Sequence, residues 1–165
     1  MKRTFKPRRG TGDSGMTDLF GRRVPKTDRR VRLNAHIDEL GALLGLLKAG
    51  AKARRRRELA AAQAALVKAA GVIAGRRADL APEIRELEGF IAAAEAGLEP
   101  PKKFVLPGAN EAEALAHLAR TRARLCELGA WELKAKGTAV LLNRLSDYLF
   151  LAALERAGTP RAAAG

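Results

Sequence analysis

Residues 34–50 read NAHIDELGALLGLLKAG. Ile37, Leu40, Leu44 and Leu47 recur at intervals of three and four, the period that puts apolar side chains on one face of an α-helix, and Gly50 can close its C-terminus. The spacing predicts a helix over 34–49 whose apolar face must be covered. Working forward, residues 53–74 set Leu59, Ala62, Leu66, Ala70 and Ile73 on one stripe behind Arg54-Arg55-Arg56-Arg57, a run read as solvated, and Gly75 is the stop. Pro82 suits the first turn of a third helix, where its missing N–H costs nothing. That helix carries Ile84, Leu87 and Ile91 and ends at Glu99-Pro100-Pro101. KKFVLPGAN, over 102–110, is a loop leading to a fourth helix over 111–136, and Gly137 separates that from a fifth over 138–157. The fold class is all-α: a five-helix up-and-down bundle.

Working back from Asn34, the pattern disappears. Residues 1–33 are rich in Gly and basic residues and show neither a 3.6-residue nor a 2-residue hydrophobic period, so they read as an extended arm. The expected organisation is an arm over 1–33, a helical domain over 34–158 and a frayed tail over 159–165. Of the formal net charge of +13, most lies early, with eleven Lys and Arg against three Asp in residues 1–32. An anionic ligand is therefore expected. No stretch approaches the roughly 20 apolar residues that cross a bilayer. The opening MKRTFKPRR lacks the apolar core of a secretory signal and reads as part of the mature chain. Cys126 is the only cysteine, which excludes an intramolecular disulfide and a cysteine-based zinc finger and makes a reducing cytoplasm the default compartment.

Candidate chemistry concentrates in three places. At 100° per residue the fourth helix sets Leu115, Leu118, Ala119, Leu125, Cys126 and Leu133 on one side, and His117, Arg120, Arg124, Glu127 and Trp131 nearly opposite. Charged pairs on such a face are commonly just solvated, but a Trp among them suggests that another surface covers the stripe. On the fifth helix Asn143 and Asp147 stand one turn apart, opposite Leu141, Leu145, Tyr148 and Ala152. They could orient a ribose or a cation's water shell, or simply face solvent. In the arm, Thr11-Gly12-Asp13-Ser14-Gly15-Met16-Thr17 precedes Arg22, Arg23 and Lys26: glycines permit close approach to an anion, hydroxyls donate to it and cations attract it. It is no Walker A loop, and a flexible basic tail explains it equally well. His36 has no second His or Cys at ligand spacing, so no protein metal site is expected. No nucleophilic triad has credible spacing, and any reaction must rest on positioning and charge.

TGDSGMTDLFGRRVPK (11–26), Asp38-Glu39-Leu40, FVLPG (104–108), HLART (117–121) with Arg124 and Glu127, and NRLSDYLF (143–150), in this order, resemble the PduO-type ATP:corrinoid adenosyltransferases. The resemblance implies a homotrimer with each active site between subunits. It implies ATP held by Thr11, Gly12, Asp13, Ser14, Gly15, Thr17 and Lys26 of the arm together with Arg124, Glu127 and Asn143, with Mg²⁺ on the triphosphate. Arg120 would pair with Asp38 across the subunit boundary, and Phe104 would displace the lower ligand of cobalamin. The implied reaction moves the 5′-deoxyadenosyl group of ATP to cob(I)alamin, with a separate electron donor for the cobalt and a downstream adenosylcobalamin-dependent enzyme as further partners, and no membrane. The chain departs from the pattern at Gly10, at Asn34-Ala35-His36, at Gly41, and at Leu125 and Leu128, so that arginine is lost at Gly10, Leu125 and Leu128. Two alternatives stay open: a non-catalytic corrinoid- or nucleotide-binding relative, and a basic helical nucleic-acid-associated protein, the latter disfavoured because no aromatic platform is interleaved with the cations.

Overall fold

A computed structural model describes residues 9–99, 101 and 103–157. An antiparallel hairpin, β1 (Met16–Leu19) and β2 (Arg22–Pro25), precedes five helices: α1 (Arg29–Ala49), α2 (Ala53–Ala74), α3 (Ala81–Glu95), α4 (Glu111–Glu132) and α5 (Lys136–Ala157). The five-helix expectation holds. α4 and α5 form the principal pair; α1 packs on α4 and α2, and α3 lies against α5. The core between them takes Leu33, Ile37, Leu40, Leu44 and Leu47 from α1, Leu59, Leu66 and Ile73 from α2, and Leu141, Leu145, Tyr148 and Leu149 from α5. α4 contributes small side chains to it, Ala116, Ala119, Ala123, Cys126 and Ala130, all fully buried, so its neighbours approach closely. Among the described residues no helix is long and apolar enough to cross a membrane.

Several local expectations need correction. The stretch read as an extended arm contains the hairpin, in which Thr17 faces Val24. Its turn residues Phe20 and Gly21 both take positive φ, 43° and 77°, the geometry of a two-residue hairpin turn. Such turns are usually announced by Asn-Gly, and Phe at the first position hides the signal. α1 begins at Arg29, five residues before 34, because the Asp28 carboxylate accepts the Arg30 backbone N–H at 2.8 Å and caps the helix. Arg30, hydrogen bonded to that carboxylate, holds it well below the usual range, at about 2. The α4–α5 break falls at Lys134, which takes φ 56°, and not at Gly137, which lies within α5. The Ala135 N–H reaches back to the Ala130 carbonyl at 2.9 Å, a Schellman-type closure built on lysine in place of glycine. α3 also ends before Glu99, at Glu95.

The arginine run is not uniformly solvated. Arg54 is exposed, but Arg55 is buried, stacked 5.0 Å over the Tyr148 ring and bonded to Glu58 at 2.6 Å and to Glu155. The Tyr148 hydroxyl donates to Glu58 at 3.0 Å, so α2 and α5 are joined by a buried ion cluster.

Candidate functional site

The glycine-rich segment ahead of the hairpin is folded into two successive turns. Asp13 N–H donates to the Gly10 carbonyl (3.2 Å), and Gly15 N–H to that of Gly12 (3.1 Å). Lys26, just past β2, returns its backbone N–H to the Gly15 carbonyl at 2.8 Å, which closes the segment over the mouth of the hairpin. Arg23 donates to the Thr11 carbonyl and pairs with Asp18 at 3.4 Å. A Cβ on Gly12 would stand 2.8 Å from Lys26 Nζ, so the ammonium lies across this position only because it carries no side chain. Thr11, Gly12, Asp13, Ser14, Gly15 and Lys26 are thereby brought into one basic loop, with Thr17 following in β1. The arrangement can hold an anion by N–H, O–H and ammonium donors together.

A second group lies on the outer face of α4. Arg120, Thr121, Arg124, Leu125, Glu127 and Leu128 line a shallow pocket of about 330 Å³. Trp131 Nε1 donates to Glu127 at 3.3 Å. Asp147 is exposed and lines a different pocket, of about 450 Å³, with Glu95, Leu98, Phe150, Leu151 and Leu154; partial desolvation there raises its carboxyl above the usual range, opposed by Arg144. Asn143, a turn earlier, is partly buried and accepts from Arg144 at 2.9 Å.

The expected division of α4 is revised. Leu118 and Leu125, assigned to the inner side, are exposed, as is Leu128, whereas His117, assigned to the outer side, is buried. The helix turns its alanines and Cys126 inward with Leu115 and Leu133 packed beside them, while Leu118, Leu125 and Leu128 make an external ridge. Leu115, Ala119, Cys126 and Leu133 lie on the core side as expected; hydrophobicity alone extends the stripe too far and takes in Leu118 and Leu125 at its edge.

The third group surrounds Phe104. This ring is 88% exposed and stands over a pocket of about 430 Å³ lined by Pro101, Lys103, Val105, His117, Arg120 and Phe150. Arg120 lies 5.9 Å over the Phe150 ring, and His117 meets the same ring edge-on at 6.1 Å. Burial lowers the proton affinity of Arg120, and nearby Arg124 lowers it further. Glu113 and Phe150 were not singled out from sequence. Asn110-x-x-Glu113 carries the spacing of a helix-start capping pair, and Asn110 does accept the Glu113 N–H at 2.9 Å, so that signal was available.

Asp38 stands elsewhere, in a groove of about 510 Å³ between α1 and α2 with Asn34, Glu39, Gln63 and Val67. Among the described residues no ion pair joins Asp38 to Arg120 within the chain. The neighbouring Arg122 takes Glu39 at 2.8 Å and lies 3.3 Å from His36. No group of three or more His, Cys, Asp or Glu gathers to hold a metal ion among the described residues.

Comparison with known proteins adds an independent line. Residues 8–155 match the family model described as cobalamin adenosyltransferase. The corrinoid adenosyltransferase PduO of Citrobacter freundii is 40% identical over 162 residues; the alignment takes in 89% of this chain and 48% of that protein. The chain thus spans about half the length of that relative. It spans more of the cobalamin adenosyltransferase of Cupriavidus metallidurans, which is 36% identical over 90% of this chain and 87% of its own. Among solved structures, a variant PduO-type ATP:corrinoid adenosyltransferase from Lactobacillus reuteri complexed with cobalamin and ATP superposes with a TM-score of 0.82. It is 26% identical, covering 92% of this chain and 91% of that one.

Proposed function

Because the chain belongs to the cobalamin adenosyltransferase family, we propose that it transfers the 5′-deoxyadenosyl group of ATP to cob(I)alamin, releasing triphosphate and forming adenosylcobalamin. The observation that carries this reading is the ammonium of Lys26 lying across Gly12 in a closed loop, a cradle for a polyanionic tail. The Lactobacillus reuteri neighbour, complexed with cobalamin and ATP, supports both substrates.

In this reading Thr11, Gly12, Asp13, Ser14, Gly15, Thr17 and Lys26 hold the phosphates, joined by Arg124, Glu127 and Asn143. The cobalt lone pair forms the Co–C bond to C5′ as the C5′–O bond breaks, and triphosphate leaves with the electron pair. The chain supplies alignment and cations for the growing negative charge. Phe104 displaces the lower ligand of the corrinoid, above a pocket that Pro101, Val105 and Phe150 line on its apolar side. Among the described residues no group of carboxylates and imidazoles forms a metal cage, so in this reading Mg²⁺ would arrive on the triphosphate.

The assembly in this reading is a homotrimer, with Asp38 of one subunit paired to Arg120 of the next. Two features support it. One chain keeps these residues on different surfaces, and it leaves Leu118, Leu125 and Leu128 uncovered on α4. A cytoplasmic setting, a cob(II)alamin reductase and an acceptor enzyme for the product complete the proposal. Mixing the protein with Mg-ATP and chemically reduced cobalamin tests it. The adenosylcobalamin absorption spectrum is expected, and an unchanged cobalamin spectrum would overturn the reading.

A further inference from the structure

We propose that Glu113 and His117 are positioning residues that join the Phe104 loop to Arg120, so that the ring and the guanidinium lining one pocket are set by a single buried chain of polar contacts. The inference rests on the reading that this pocket receives the corrinoid.

Glu113 occupies the first turn of α4, and its side chain is completely enclosed. Oε2 accepts two backbone N–H groups, from Gly108 at 2.8 Å and Ala109 at 3.1 Å. These residues close the loop that carries Phe104. Oε1 lies 3.0 Å from His117 Nε2, within ion-pair distance, and both atoms are enclosed with no hydrogen-bond partner among the described residues, so each is the other's nearest available polar group. An enclosed carboxylate is costly unless its lone pairs are used. A leucine would fill the space without that cost, but would leave the two loop amides without an acceptor.

His117 extends the chain one turn further along α4. It is 3% exposed, and Arg120 Nε lies 3.3 Å from its Nδ1. An arginine can only donate, so Nδ1 accepts and the ring proton sits on Nε2, facing Glu113; the network assigns this tautomer. The Phe150 ring braces the imidazole edge-on and lies beneath Arg120. One end of the chain therefore fixes the backbone four residues after Phe104, and the other fixes a cation that lines the pocket with Phe104.

Glu113→Gln separates the two ends. Its amide oxygen can replace Oε2 and keep both loop bonds, but its NH2 then meets the His117 Nε2–H donor to donor, which forces the other tautomer and releases Arg120. In Glu113→Gln, hydrogen exchange at Gly108 and Ala109 should stay within about twofold of wild type, whereas in Glu113→Ala it should accelerate about 100-fold. The kcat/KM for cobalamin should fall about 10-fold in Glu113→Gln and about 100-fold in Glu113→Ala, with the KM for ATP unchanged in both. Folded variants that keep the wild-type kcat/KM for cobalamin, or that lose ATP and cobalamin parameters in parallel as a general packing defect would, overturn the inference. Wild-type protein that fails to adenosylate overturns the function on which it rests and leaves exchange to decide the clamp. In that case unchanged exchange in Glu113→Ala refutes the clamp, and faster exchange upholds it.

Discussion

The space over Gly12 is filled by the end of another side chain, Lys26, and not by solvent. An added methyl group there collides only with the flexible end of a lysine, so the backbone can keep its turns while the ammonium moves away. Gly12→Ala should therefore leave stability within ~0.5 kcal/mol of wild type but raise the KM for ATP about 10-fold, the worth of one charge-assisted contact. Thermal melts and ATP titrations check both halves, and a stability loss with normal ATP use would contradict the role given to Lys26. His117 makes a different kind of prediction. Burial, opposed by Glu113 and aided by Arg120, lowers its proton affinity below the ordinary 6.5. Lys103 lines the same pocket, and Phe150 brings no charge. The unfolded chain takes up a proton as pH falls through 6.5 and the folded chain resists it, so the contribution of this residue is complete above that pH and is lost below it. His117→Gln, which can donate to Glu113 and accept from Arg120 without titrating, should flatten the fall in melting temperature between about pH 7 and 5. An unaltered pH profile would sink this assignment.

At the scale of elements, Arg54 and Arg55 look alike in the sequence and behave oppositely. Arg55 is in helical phase with Leu59, Ala62 and Leu66 and is buried against Tyr148, Glu58 and Glu155, whereas Arg54 reaches Glu58 from the outside. Arg55→Ala leaves Glu58 enclosed without its main cation and should cost about 3–5 kcal/mol. Arg54→Ala should cost less than ~1 kcal/mol, since more than half of that side chain remains in water. Urea unfolding of the two variants checks the difference, and equal losses would mean that the cluster is not a joint between α2 and α5. The phase of Arg55 was readable from the leucines beside it, and composition overrode it. Helix number and apolar stripes were legible because the 3.6-residue period survives in α1, α2 and α5. The hairpin was hidden by Phe20 at a positive φ, and the α4–α5 break by Lys134 doing a glycine's work. In α4 the core stripe is mostly alanine and the exposed ridge of Leu118, Leu125 and Leu128 is leucine, which blurs the usual cue. The loop residues of the candidate site were legible as a donor-rich basic run. The Glu113–His117 link was not, because it depends on how the 104–110 segment turns back over the start of α4.

At the scale of the whole molecule, one chain holds the parts of the proposed site on separate surfaces: the basic loop by the hairpin, the Phe104 pocket between α4 and α5, and Asp38 in the α1–α2 groove. Asp38 is exposed and Arg120 only partly enclosed, with Phe150 and His117 beside it and no carboxylate of its own chain among the described ion pairs. If the trimer brings them together, the apolar ridge of Leu118, Leu125 and Leu128 would lower the water content of the seam and strengthen their attraction. Asp38→Ala and Arg120→Ala should then each weaken association, while the double variant loses less than the sum of the two, with a coupling of about 1–3 kcal/mol. Sedimentation equilibrium on the four proteins gives the cycle directly. Because both residues lie clear of the helix-packing core, circular dichroism should be the same for all four, which isolates the association step from folding. Strict additivity would mean that the two side chains never meet, and the subunits would then have to be joined through the leucine ridge without this ion pair.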